Sequence, residues 1–383
     1  VSSVSVLLIT LCGIAQDTTK QKDKEISKEN PKDKIGFRSK SWDEVADAAI
    51  EYLKTTQAED GTWSKSSHPG ITAMVVTGLL KSGKINVDSP MVANALKYLE
   101  GFINEKEGHM AGDDKVRHKY YMTSVNLLAF KASGLKKYDV PIAKAVTYFK
   151  KGQVGAEDGT PQDDPNYGGF GYGPRTRADM SNTHFVLDAL VAAKVDRSDE
   201  VFKKALLFVS RSQNLKSEFN TLPWAGRIND GSFVYVNGIS PGGKSSEDAP
   251  RPGYGSMTYA GLKSLKICGV NKEDIRYKKA LEWIGKNYNV DYHPGRGEGA
   301  GGQGYYYYLV SMAKCFDTLG IEEIVDANGK AHDWRAEITR ALANRQRKDG
   351  SWGNDFTLWM EGDSNLDTAY ALIALSYTKP KSK

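Results

Sequence analysis

The stretches that decide the fold are Gln57-Ala58-Glu59-Asp60-Gly61-Thr62-Trp63 and Gln346-Arg347-Lys348-Asp349-Gly350-Ser351-Trp352. Both read Gln-x-x-Asp-Gly-x-Trp, and each directly follows a segment with helical apolar spacing. Looser copies stand between them: Gln213 with a later Asp230-Gly231-Ser232-Phe233, and Asp158-Gly159 followed by Tyr167-Gly168-Gly169-Phe170-Gly171. Asp-Gly makes a tight turn in which glycine takes a positive φ. The Gln side chain can satisfy backbone groups left open at a helix end, and the ring fills the gap between neighbouring outer helices. Gln57, Gly61, Trp63, Gln346, Gly350 and Trp352 are therefore a structural repeat motif, with no chemistry in it.

Working outward, each copy lies inside a unit of amphipathic helix, glycine-rich loop and more apolar helix. The spacing predicts first helices over 45–55, 92–102, 142–151, 201–211, 277–288 and 334–345, and second helices over 71–81, 122–132, 182–193, 257–267, 306–316 and 366–377. The second helices align on Thr72, Thr123, Thr183, Thr258 and Thr368, with Leu79, Phe130, Leu190, Leu265 and Leu375 seven residues later. Seven residues are two helical turns, so each threonine shares a stripe with its large apolar partner. The fifth repeat fits less well, with Leu309 or Tyr307 in the threonine column. No strand-period segment interrupts the series. Six stacked pairs bury one shared core, so 41–378 is expected to be a single all-α domain, an (α/α)6 toroid of six helix-pair repeats. The longest loops, 155–177 and 213–252, are insertions of the kind that collect on a binding face.

The Gln-x-x-Asp-Gly-x-Trp motif resembles the Gln-Trp repeat of squalene-hopene and oxidosqualene cyclases, and Gly168-Gly169-Phe170-Gly171 resembles loops of protein prenyltransferase β subunits. The resemblance covers roughly 42–378. It implies a barrel of six inner helices sheathed by six outer ones, with a cavity lined at the inner-helix N-termini. It does not extend to the catalytic signatures. The cyclases protonate a polyene with the middle acid of Asp-x-Asp-Asp-Thr. Here Asp179-Met180-Ser181-Asn182-Thr183 has serine at that position, and Ser364-Asn365-Leu366-Asp367-Thr368 has leucine. The prenyltransferases bind zinc through Asp-x-Cys and a later His. Asp179-Met180-Ser181 offers serine for the thiolate, and Tyr254-Gly255-Ser256-Met257-Thr258-Tyr259 has no His. The Cys-Gly-Glu-Gln run of thioester toroids is not matched by Cys268-Gly269-Val270-Asn271. Polyene cyclisation and zinc chemistry are both disfavoured, and the sequence calls for no metal and no cofactor.

The expected mouth of the barrel collects the residues that enter the inner helices. Four positions before the threonine column stand His68, Lys119, Asp179, Tyr254 and Ser364, with Tyr305 from the fifth repeat; two before it stand Tyr121, Ser181, Ser256 and Tyr307. Asp179, Ser181, Ser256 and Asp363 are also natural N-caps. His68, Lys119, Tyr121, Ser181, Tyr254, Tyr259, Tyr305 and Tyr307 are the ligand-binding candidates, joined by Arg175 and Arg177, which can grip a carboxylate or phosphate. These arginines are expected to keep Asp179 ionised. His184 and Asp179 are the catalytic candidates, His184 as a base with Tyr121 or Tyr307 as its partner. Four consecutive rings, Tyr305 to Tyr308, span all faces of a helix, so at least one points into the lumen.

Twenty tyrosines and seven tryptophans among 383 residues supply a lined cavity. The net charge of +5 sits at the ends: residues 16–40 carry eight Lys/Arg against five Asp/Glu, and the tail adds Lys379, Lys381 and Lys383. The body is near neutral, so nucleic acid is no expected partner. Residues 1–15, with the uncharged run Val4 to Leu11 and the small residues Gly13 and Ala15, read as a signal peptide. Residues 16–40 read as a solvated linker. Export to the periplasm or outside the cell is expected, with no membrane span after cleavage. Cys268 and Cys315 then remain, without a disulfide framework.

The sequence points to a toroid without the family's catalytic signatures that binds an apolar or carbohydrate ligand in an aromatic central cavity; the alternatives are a divergent enzyme of terpenoid-cyclase or polysaccharide-lyase or hydrolase type, and a structural or interaction module. A lumen lined by rings with one carboxylate or a His–Tyr pair favours the enzyme; a plugged lumen favours the module.

Overall fold

Ser41 begins the first described helix, α1 (Trp42–Thr56), with a reciprocal cap: its hydroxyl accepts the Glu44 N–H while the Glu44 carboxylate accepts the Ser41 N–H at 2.7 Å. The computed structural model describes residues 40–65, 68–113, 117–174, 176–237 and 252–380. The expected leader, nearly all of the charged linker, and Arg175 lie outside the described residues. The helices that follow are α2 (Gly70–Ser82), α3 (Pro90–Glu100), α4 (Lys119–Ser133), α5 (Asp139–Gly152), α6 (Met180–Ala192), α7 (Glu200–Arg211), α8 (Ala225–Ile228), α9 (Gly255–Ile267), α10 (Ile275–Asn287), α11 (Tyr305–Leu319), α12 (Trp334–Arg345) and α13 (Ser364–Thr378). Twelve are the expected pairs. α8 is an extra single turn inside the fourth-repeat insertion.

The two kinds of helix bury themselves differently. Outer α7 buries Val201, Phe202, Ala205, Phe208 and Val209, one stripe at helical spacing. Inner α2 buries eleven of its thirteen residues, because it is covered by an outer helix on one side and faces the lumen on the other. The inner helices pack in the order α2, α4, α6, α9, α11, α13, and α13 returns to α2. That last contact closes the ring. It needs Gly78, where a Cβ would stand 3.1 Å from the Leu372 Cβ, and Trp42 ties α1 across the seam through its indole N–H to the Leu375 carbonyl at 2.9 Å.

One expectation is corrected. A two-strand hairpin, β1 (Ile324–Val325) and β2 (Ala331–His332), interrupts the helices between α11 and α12. Two residues per strand are too few to leave an alternating pattern in the sequence. The hairpin is held by its turn, where Asp326 N–H bonds the Lys330 carbonyl and Gly329 takes a φ of 80°.

Candidate functional site

The loops that enter the inner helices are placed by two recurring contacts. The repeat glutamine reaches two carbonyls with one amide: Gln57 Nε2 donates to Gly61 O and Met91 O, Gln153 to Gly168 O and Val201 O, Gln213 to Gly231 O and Arg276 O, and Gln346 to Gly350 O and Val45 O. Each joins its own loop to the start of the next outer helix, so Gln346 joins the sixth repeat to the first. Loop and helix approach so closely that Gly350, at φ 90°, would place a Cβ 2.1 Å from the Ala48 carbonyl oxygen. The threonine column supplies the second contact. Thr72, Thr123, Thr183, Thr258 and Thr368 accept the backbone N–H of Trp63, Met110, Phe170, Phe233 and Trp352 at 3.0–3.3 Å. Trp63 and Trp352 are fully buried, with indole N–H groups on Leu53 O and Leu342 O.

Each inner helix then delivers its first turns to one cavity of about 240 Å³, through Ile71, Tyr121, Ser181, Ser256, Tyr307 and Leu366. The loops complete the wall with His68, His118, Tyr172, Tyr235, Tyr254 and His293, and with Trp359, Met360 and Glu361. Burial holds His68 at about 4 and His293 at about 3, so both imidazoles are neutral at pH 7. The wall offers rings, hydroxyls and neutral nitrogens. That suits an uncharged ligand.

Beneath the floor lies a buried chain of polar groups. Tyr307 Oη stands 2.6 Å from His184 Nε2 and 3.1 Å from Ser181 Oγ. His184 Nδ1 is 3.3 Å from Lys263 Nζ, and Lys263 and Lys314 both pair with Asp188. Burial first, and then the Lys263 charge, push His184 far below its usual pKa. Its neutral ring accepts from the ammonium at Nδ1, which assigns the proton to Nε2 and makes it a donor to Tyr307. The phenol therefore has its own proton free for Ser181 or for the cavity. Burial raises the Tyr307 pKa well beyond the usual phenol value, so it acts as a donor.

Glu361 lines the cavity, and two further carboxyls, Asp367 and Asp179, are buried near it. α11 has Gly304 at its N-cap, at φ 66° and without a capping side chain. Glu361 supplies what is missing: its Oε1 accepts the Tyr307 N–H at 2.8 Å and its Oε2 accepts from Asn354 Nδ2 at 2.7 Å. Burial nevertheless pushes it up to about 7. Asp367, fully buried and close to Glu361 and Asp363, is pushed up to about 9 by burial and then by those two charges. Asp179 caps α6, accepting from Asn182 N and Nδ2, both at 2.7 Å, and burial pushes it up to about 6.

The sequence candidates divide accordingly. His68, Tyr121, Ser181, Tyr254 and Tyr307 line the cavity. Lys119 does not; its neighbour His118 takes the place, stacked on His68 at 5.8 Å and tilted against Tyr172 at 4.8 Å. Tyr259 lies in the core against Tyr308 and Phe316, because it stands two residues, about a 200° turn, past the cavity-lining Met257. Tyr305 turns outward, its hydroxyl on Val290 O at 2.6 Å, and borders a separate cleft. Arg177 is exposed, so the expected lowering of Asp179 is reversed by burial. His184 touches the cavity through Tyr307 and not directly. Glu361, Trp359, Tyr172, Tyr235 and His293 come from loops without a repeat register, and periodicity has no means of finding them.

Among the described residues no three His, Cys, Asp or Glu side chains gather as metal ligands would. No helix there is long and apolar enough to cross a membrane. Cys315 is buried, Cys268 half-buried, and the two are unpaired.

No family model and no curated protein matches the sequence. Among solved structures the chain is similar to the apo form of the type II terpene cyclase MstE from Scytonema, at TM-score 0.52 and 15% identity, over 88% of this chain and 97% of that one. It is also similar to a polysaccharide lyase, at TM-score 0.50 and 13% identity over 88% and 97% of the two chains, and to a glycosidase, at 0.50 and 13% over 90% and 99%. The fold is the terpenoid-cyclase-like α/α toroid. At these identities the likeness is one of fold alone. In this toroid Ser181 and Leu366, where the cyclase resemblance puts an acid, both line the cavity. The carboxyl on its wall is Glu361 instead.

Proposed function

We propose that this toroid is an enzyme that takes a small uncharged ligand, apolar or carbohydrate, into the aromatic cavity and donates a proton to it from Glu361. The observation that carries the reading is a buried carboxyl on the cavity wall, poised at about 7. Burial keeps a share of it protonated at neutral pH. The Tyr307 N–H and the Asn354 amide then hold the carboxylate left behind when the proton goes. The Tyr307 hydroxyl offers a second donor to the ligand's polar atom. His184 positions that hydroxyl from below. The toroids of like fold include a terpene cyclase, a polysaccharide lyase and a glycosidase, and so the architecture accommodates apolar and glycan substrates alike.

A second reading, binding without turnover, is favoured by one observation: Glu361 and Asp179 each serve as a helix cap. Native mass spectrometry of the purified chain, followed by incubation of the ejected ligand with wild type and Glu361→Gln, separates the two. Conversion by wild type alone, with binding kept in the variant, supports the enzyme. Equal conversion by both removes Glu361 from the chemistry, and binding with no conversion by either leaves the carrier.

A further inference from the structure

Eight large apolar side chains are exposed among the described residues, and five of them, Tyr172, Tyr292, Phe356, Leu358 and Trp359, belong to the loops around the cavity mouth. Exposed rings gathered in one place are informative where scattered ones are not. Three of these rings are seated on bare backbone. The strip Gly301-Gly302-Gln303-Gly304 leads into α11, and a Cβ on Gly301 would lie 3.0 Å from Tyr292 Cβ. One on Gly302 would lie 2.3 Å from the Phe356 ring, and one on Gly304 3.3 Å from the Trp359 ring. Any side chain at Gly302 would lift Phe356 off its seat.

The strip joins two hollows. Trp359 and Gly304 border the cavity, while Tyr292, Phe356, Gly301 and Gly302 border a separate cleft of about 310 Å³. The polar rim of that cleft is Asp291, Asn354, Asp355 and Arg345. Arg345 is fixed by the Asp291 carbonyl at 2.7 Å. Asn354 donates to Gly302 O at 2.6 Å and to Glu361 Oε2, so one amide connects the cleft with the cavity carboxyl. Trp359 is held from the other side: the Arg296 guanidinium lies 4.4 Å from its ring and 4.4 Å from that of Tyr254. Trp359 and Met360 both have positive φ, 56° and 69°, a strain that persists only where the surroundings dictate it.

We propose that this surface is a track for a neutral glycan, with one sugar in the cleft and the chain crossing Tyr292, Phe356 and Trp359 towards Glu361. A sugar ring presents an apolar C–H face to a flat aromatic ring and a rim of hydroxyls to carboxylate, amide and guanidinium. An alkyl chain has no use for that polar rim. Asp291 and Asp355 disfavour phosphate or uronate chains. The proposal rests on the cavity reading only for where the chain leads.

The test uses the full chain carrying Glu361→Gln, so that nothing is consumed, with cellohexaose, chitohexaose, xylohexaose and mannohexaose followed by calorimetry and tryptophan fluorescence. At least one hexaose should bind and change the fluorescence, and Tyr292→Ala or Phe356→Ala should weaken it by about tenfold. Val140→Ala, an exposed apolar residue on α5, should leave it unchanged. Trp359→Phe keeps a ring on the strip and should retain binding if Phe356→Ala is poorly folded. The track is overturned if no hexaose binds, if the two alanine variants bind as well as the parent, or if oligogalacturonate or phospholipid vesicles bind better than every neutral hexaose. Hexaose binding lost in the alanine variants, together with turnover unaffected by Glu361→Gln, keeps the track and sinks the acid. A Glu361-dependent conversion of a small ligand with no hexaose bound does the reverse.

Discussion

His184 Nε2 lies 2.6 Å from the Tyr307 hydroxyl, with His184 buried and its other nitrogen facing Lys263. The pair converts a charge network that never reaches the cavity into one oriented hydroxyl that does. Tyr307→Phe leaves His184 Nε2 and Ser181 without this partner. It is expected to cost about 1–3 kcal/mol of stability, the penalty for a buried donor left unmade. Ligand affinity should fall with it, whereas His184→Phe should keep the cavity shape and mimic the affinity loss. Denaturant titration and calorimetry check both, and unchanged affinity in Tyr307→Phe would remove the phenol from ligand recognition.

The Glu361 carboxyl is raised from 4.5 to about 7, which fixes the sign of its pH dependence. The folded chain holds this proton more tightly than the unfolded chain does. Its contribution is therefore fully present below about 4.5 and is lost as pH rises through 7. Wild type should lose stability relative to Glu361→Gln across that window, with a constant difference above it. Melting temperatures of the two proteins at a series of pH values test this. A difference that stays constant across that window would show that the carboxyl is ionised throughout.

Substitutions in the repeat contacts separate packing from hydrogen bonding. Trp63→Ala and Trp352→Ala each remove a fully buried ring and should cost about 3–5 kcal/mol. Thr183→Val keeps the volume and removes the hydroxyl that accepts the Phe170 N–H and donates to the Phe170 carbonyl, for about 1–3 kcal/mol. Equal losses in the threonine and tryptophan variants, measured by chemical denaturation, would mean that the loop is held mainly by its polar clamp.

Export rests on the apolar run Val4 to Leu11 and the small residues that follow it. Mature protein is expected outside the cytoplasm, beginning at or near Gln16. N-terminal sequencing that found Val1 intact on a cytosolic protein would end this reading.

Six helix pairs were legible in the sequence because their signals are local. Apolar spacing marks each helix, and the Gln-x-x-Asp-Gly-x-Trp motif with the threonine column keeps register from repeat to repeat. Those same contacts act within one loop or between adjacent repeats, as Thr72 does with Trp63 and Gln57 with Met91. From this register followed the cavity positions of His68, Tyr121, Ser181, Tyr254 and Tyr307, all near inner-helix N-termini. Register also misled at Lys119, one residue past the wall's His118, and at Tyr259, which stands two residues past the lining Met257 on the opposite face of α9. What only the tertiary structure decided is which loop meets which inner helix. Glu361 caps α11 from 54 residues away, Tyr307 meets His184 over a separation of 123, and Phe356 finds its seat on Gly302. No periodicity encodes such pairs, since the loops that supply Glu361 and Phe356 carry no repeat register. Burial on closing, and not sequence neighbours, also decided the charges: exposed Arg177 leaves Asp179 to desolvation, and the carboxyl pKa rises where the arginine run had pointed to a fall.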